Sequence, residues 1–106
     1  MNTSRIDQLL QFLSAHPKDS FVKFALALEH AKAGDDAKTL SYFKEIISED
    51  PDYTGTYYHL GKLYERLNEK EAAELTYQEG LKRTRVKDQK SYQELQEALN
   101  QLLFEE

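Results

Sequence analysis

Three histidines, an excess of carboxylates and one basic run are the residues of this 106-residue sequence that could do chemistry. A helical zinc site needs ligands three or four residues apart, yet His16, His30 and His59 each stand alone. His16 precedes a helix-ending proline, His30 takes the place of a packing aromatic, and His59 neighbours a candidate binding face. We read all three as packing residues. Carboxylates such as Glu69, Glu71 and Glu74 act as acid and base only in a cleft that shifts their pKa values. With Lys70 among them they read as a solvated helix face. There is no cysteine to serve as nucleophile or thiolate ligand. Neither a phosphate-binding glycine loop nor a Gly-x-Ser-x-Gly elbow occurs. Catalytic residues, metal ligands and cofactors are therefore not expected. Lys82, Arg83, Arg85, Lys87 and Lys90 could meet phosphates or an acidic partner. No aromatics interleave them as in single-strand binders. Cations near a helix C-terminus gain roughly 0.3–1 kcal/mol each, and that is the role we assign.

The elements that position these residues are helices. Leu, Glu, Lys, Ala and Gln dominate, all good helix formers, and four Gly and two Pro leave few tight strand turns. An all-α chain of one domain follows. An apolar fraction of 40% against 31% charged suits a thin helical protein. The net charge of −5 disfavours nucleic acid as a partner. No apolar stretch approaches the roughly 20 residues of a membrane span, and residues 1–7 lack the apolar run of a signal peptide. We expect a soluble, cytoplasmic chain with no membrane partner.

Proline and glycine punctuate the pattern. Residues 5–15 carry a stripe of Ile6, Leu9, Leu10, Phe12 and Leu13, ended by His16-Pro17. Asp19 or Ser20 caps a second helix running to about Ala33, which Gly34 closes in a left-handed conformation. Asp35 or Asp36 caps a third from about Ala37 to Ser48, before Asp50-Pro51-Asp52. A fourth runs from near Thr54 to Asn68, the usual substitute for glycine at a left-handed cap. Asn68 and Glu71 also have capping-box spacing for a fifth helix, from about Glu69 to Thr84. Asp88 caps a sixth, whose apolar face is Tyr92, Leu95, Leu99, Leu102 and Leu103.

The helices repeat. Pro17 and Pro51 are 34 residues apart, and Leu26/Leu60, Ala27/Gly61 and Phe43/Tyr77 pair at the same offset. Such a period of helix–turn–helix units is a solenoid signature. In the second unit Tyr57-x2-Leu60-Gly61-x2-Tyr64 is followed by Ala73-x3-Tyr77. Gly61 leaves a notch on one helix for the next, and we place it against Ala73. This stretch resembles the tetratricopeptide repeat, whose pattern is Trp-x2-Leu-Gly-x2-Tyr, then Ala-x3-Phe, then Pro. Arg85 stands in place of the closing proline. The preceding unit matches through Leu26, Ala27, Phe43 and Pro51, while Lys23, His30, Thr39 and Ile46 depart from the pattern. The resemblance implies an α-solenoid of two hairpins, 20–53 and 54–87. They are flanked by a half repeat at 5–19 and a capping helix at 88–104. Gln96 replaces glycine in that last helix, so no further helix is expected to press there.

The resemblance also implies a concave groove lined by the first helix of each hairpin, holding a peptide or partner segment. It puts Phe24, Leu28 and Ala31 there, then Tyr58, Lys62, Glu65 and Arg66, then Lys90, Gln93 and Glu97. Phe24, Leu28 and Tyr58 would form an apolar patch beside the cations Lys62 and Arg66, suited to an amphipathic, partly acidic peptide. The alternatives are that the N-terminal segment covers this patch, or that a second copy of the chain does, which would make the domain a homodimerisation module.

Overall fold

The computed structural model describes residues 3–104, which form six α-helices and no strand. They are α1 (Thr3–Ala15), α2 (Ser20–Lys32), α3 (Asp36–Glu49), α4 (Gly55–Arg66), α5 (Lys70–Thr84) and α6 (Gln89–Phe104). The chain divides into two compact units, Met1–Tyr53 and Thr54–Glu106. In the first, α2 packs on both α1 and α3; in the second, α5 packs on both α4 and α6. The all-α expectation is met.

Short polar residues set the helix ends. Asp19 Oδ1 accepts from the Val22 amide at 3.1 Å, and Asp35 Oδ1 accepts from that of Lys38 at 3.1 Å. Each thereby satisfies an amide that the first turn leaves without a partner. Gly34 takes φ of +80° and Asn68 φ of +62°, the left-handed closures their residue types favour. The capping box expected of Asn68 and Glu71 does not form, and α5 starts without a side-chain cap. The Asn68 backbone is committed to ending α4, with its N–H on Glu65 and that of Glu69 on Tyr64. A residue in that conformation cannot also adopt the extended geometry of an N-cap. Asp88 does cap α6, accepting from the Ser91 hydroxyl and amide at 2.7 and 3.1 Å, and from the Thr54 hydroxyl at 3.2 Å. Those bonds, Ser91's first, hold its carboxyl below the ordinary range.

The first unit's core holds Val22, Leu26, Ala27, Phe43 and Ile46, together with four polar residues that are buried and satisfied. Thr39 Oγ1 donates to the Asp35 carbonyl at 2.8 Å, and His30 stacks on Tyr42 with ring centroids 5.9 Å apart. Glu29 reaches Arg5 at 3.3 Å. Lys23, whose side chain is only 3% exposed, sends Nζ to Glu49 at 2.5 Å and Glu45 at 3.1 Å. Burial by itself would lower the Lys23 pKa, but the bonds to Glu49 and Glu45 outweigh it and raise it above 10.5. The same contact lowers Glu49 below 4.5.

A pH dependence follows from these two directions. The Glu49 contribution is present above pH 4.5 and lost as pH falls through its depressed folded value. The Lys23 contribution is present below pH 10.5 and lost as pH rises through its raised folded value. Removing one partner of an ion pair is costly when it strands a buried charge, but Glu45 and Glu49 are about half exposed and remain solvated, so Lys23→Met should change little at pH 7. Relative to wild type, the variant should gain stability below pH 4.5 and above pH 10.5. Urea midpoints measured across the pH range check this. A wild-type-minus-variant difference that stays flat would refute it.

The second unit's core is built on two glycine contacts. A Cβ added to Gly61 would run into the ring of Tyr77, which is fully buried. The notch expected to face Ala73 is thus filled by Tyr77, one helical turn further along α5. At Gly80 an added Cβ would lie 2.6 Å from Tyr57 Cβ and 2.9 Å from Leu95 Cδ1. Gly80 therefore lets α5 sit against both α4 and α6.

Candidate functional site

Within the second unit, α4 and α6 enclose a hollow of about 310 Å³. Tyr57, Leu60 and Gly61 turn the buried side of α4 inward. Tyr58 and Lys62, four residues apart, share a different side and line the hollow with His59. On α6, Leu95 and Ala98 are buried. Glu94, Glu97 and Gln101, at spacings of three and four, complete the lining with Ala98.

The polar groups of this site are linked. Lys62 Nζ lies 5.6 Å from the Tyr58 ring centroid and 3.7 Å from the Glu65 carboxylate. Glu65 in turn accepts from the Tyr77 hydroxyl at 2.5 Å. Burial, then the bond to Glu65 and its charge, push the Tyr77 phenol far above its ordinary value, so Tyr77 is always the donor. Glu65 is thereby held from inside the fold and offers Lys62 a partly exposed ion pair. His59 meets the Tyr58 ring edge-on, with centroids 5.7 Å apart. Desolvation lowers its pKa more than nearby Glu94 raises it, so it is neutral at pH 7. Counting Lys62 against Glu94 and Glu97, the lining is net acidic around an aromatic face.

Of the residues expected to contact a partner, Tyr58, Lys62 and Glu97 come together here. Arg66 is the exposed last residue of α4, one turn beyond Lys62. Lys90 is exposed in the first turn of α6 and is not part of the lining, and Gln93 is exposed. Phe24 and Leu28 lie on α2 of the first unit and are half-buried, as is Ala31. The Phe24 ring packs on Phe43 at 5.9 Å and Tyr53 at 5.7 Å, so part of its surface already belongs to the core. Sequence reasoning missed Glu94, Ala98 and Gln101, and it read His59 as a packing residue. The signal for the α6 residues was their spacing with Glu97 along one helix side.

His16 and two residues of the basic run have partners within the fold. His16 stacks on Phe12 at 4.6 Å. In the basic run, Arg83 pairs with Glu79 at 3.1 Å and Lys82 lies 4.0 Å from the same carboxylate. Among the described residues no helix is long and apolar enough to cross a membrane.

A family model described as "Tetratricopeptide repeat" matches residues 30–99. The chain is similar to the crystal structure of a tetratricopeptide repeat domain protein from Salinibacter ruber. That similarity has a TM-score of 0.76 at 46% identity, covering 79% of this chain and 94% of that one. A solution NMR structure of a tetratricopeptide repeat domain protein from the same organism gives 0.81 at 45% identity, covering 85% and 92%. No curated protein matches significantly.

Proposed function

This chain belongs to the tetratricopeptide repeat family, and on that premise we propose that it is a non-catalytic protein–protein interaction module. Its second unit seats a partner's peptide segment in the hollow between α4 and α6. The observation that carries this reading is the pairing of the Tyr58 face with the carboxylates Glu94 and Glu97 in one hollow. An aromatic face beside carboxylates favours a cationic side chain through both charge and cation–π attraction. The charge preference thus moves from the partly acidic peptide suggested by Lys62 and Arg66 towards a segment carrying Lys or Arg. Lys62, tethered by Glu65, is left to meet an acidic or carbonyl group of the same segment. Arg66 and Lys90, on the same two helices, complete the proposed contact set at its margins. Preformed, tethered side chains keep the cost of ordering the receptor low.

Homodimerisation through Phe24 has less support, because that ring is half-buried against Phe43 and Tyr53 of its own unit.

Peptides selected from a random display library on the immobilised chain should be enriched in Lys and Arg. Tyr58→Ala should weaken the selected peptides roughly tenfold. The pair Glu94→Lys and Glu97→Lys should reverse the charge preference, with unchanged melting curves because both carboxylates are exposed. Equal binding of the same peptides by wild type and all variants would reject the assignment.

A further inference from the structure

The proposed seat for a peptide cation is not bare in the free chain. Lys62 Nζ lies 5.6 Å from the centroid of the Tyr58 ring, within the range where an ammonium is attracted to an aromatic face. Among the described residues that line the hollow, Lys62 alone is cationic at pH 7. Its place follows from the helix register. Tyr58 stands four residues before it and Glu65 three after, so all three share one side of α4. Glu65 is 3.7 Å from Nζ and is itself held by the buried Tyr77 hydroxyl. The ammonium therefore rests between a ring and an anchored carboxylate. The repeat fold does not require this trio. At the 34-residue offset the first hairpin carries Phe24, Leu28 and Ala31, with neither the cation nor the carboxylate.

Resting on the reading that the hollow seats a cationic side chain, we propose that this guest is an arginine, which takes the Tyr58 face by displacing Lys62. A guest lysine would exchange one ammonium for another at the ring and gain nothing there. A guanidinium is planar, stacks on aromatic faces and is more weakly hydrated than an ammonium. Its fork also suits carboxylates, and Glu94 and Glu97 line the α6 side of the hollow, three residues apart. Glu65 keeps the cost of the exchange small, because the displaced ammonium retains its ion pair and loses only the ring contact. Lys62 is thus an internal competitor that lowers the affinity of the hollow for every guest cation and is overcome best by arginine.

Two blocked peptides, one of three Arg-Gly and one of three Lys-Gly repeats, carry the same charge and separate these effects. In the free chain the Lys62 side-chain protons should be shifted upfield by the Tyr58 ring, and Tyr58→Leu should abolish that shift. Saturation with the arginine peptide should return them towards their ordinary values. The arginine peptide should bind several-fold more tightly than the lysine peptide. Lys62→Ala should tighten the arginine peptide about two- to fivefold, the worth of an exposed cation–π contact. That gain should largely disappear in the Tyr58→Leu background, where only charge repulsion is left to relieve. Equal affinity for the two peptides would overturn the proposal. So would Lys62 protons that stay shifted at saturation, or a Lys62→Ala gain undiminished by Tyr58→Leu. Each of those results leaves the cationic seat itself standing, whereas a chain that bound neither peptide would remove that reading and this inference together.

Discussion

Gly61→Ala should lower the thermal midpoint, although alanine in a helix interior is worth about 1 kcal/mol over glycine. The added methyl carbon would overlap the Tyr77 ring, and that ring cannot retreat. It is fully buried, and its hydroxyl is held by Glu65 at 2.5 Å. Overpacking of this kind costs about 1–3 kcal/mol, or roughly 4–8 °C in Tm for each kcal/mol in a domain near this size. Gly61→Leu should cost more, because a whole side chain must find room. Gly55 is the internal control: nothing lies within 4 Å of an added Cβ there. Gly55→Ala should therefore stabilise by roughly 0.4–1 kcal/mol through the unfolded state. The first unit suggests the rescue. There the equivalent pair is Ala27 and Phe43, both buried, so a methyl group is accommodated beside a ring with no hydroxyl to tether it. Gly61→Ala combined with Tyr77→Phe should recover part of the loss. Melting followed by circular dichroism decides the matter, and a Gly61→Ala that melts at or above wild type would refute the contact.

What was legible in the sequence was what is decided locally. Asp19, Asp35 and Asp88 cap helices through bonds reaching three residues, and Gly34 and Asn68 close them through their own backbone. The 34-residue period made the repeat fold readable for the same reason, since each hairpin carries its own punctuation. Partner choice across two helices was less legible. Gly61 and Ala73 both belong to the repeat pattern, but which side chain enters the notch depends on how far one helix slides along the other. The hollow was half visible. Tyr58 and Lys62 follow from the period of α4, whereas Glu94 and Gln101 depend on the register of α6 after an inserted residue. That His59 lines the same hollow as Glu94 was not readable, because the two lie on helices far apart in the chain. Lys23 looked like a departure from the pattern only because its partners lie on another helix.

That departure yields the second large expected effect: the first unit's solution should be transplantable into the second. In the second unit Tyr57 is buried over Gly80; at the same offset the first unit has Lys23 and Ile46, both buried. A slender lysine stem replaces the ring, and isoleucine fills the space that glycine must leave open. The charge follows the same logic. Lys23 reaches Glu45 and Glu49, whose equivalents are Glu79 and Arg83, and these pair with each other at 3.1 Å instead. Tyr57→Lys alone should cost about 3–5 kcal/mol, as aromatic truncations in cores do, and it also buries an ammonium near the wrong neighbour. Gly80→Ile alone should cost at least about 1–3 kcal/mol by overpacking against Tyr57 and Leu95. Together with Arg83→Glu, which supplies the second carboxylate, the three changes should cost less than the sum of the singles by about 2–3 kcal/mol. Urea unfolding of the singles, the Tyr57→Lys/Gly80→Ile pair and the triple gives that coupling directly. Additive losses would mean that the two units solve their packing independently, and that the match of Lys23 with Ile46 is coincidental.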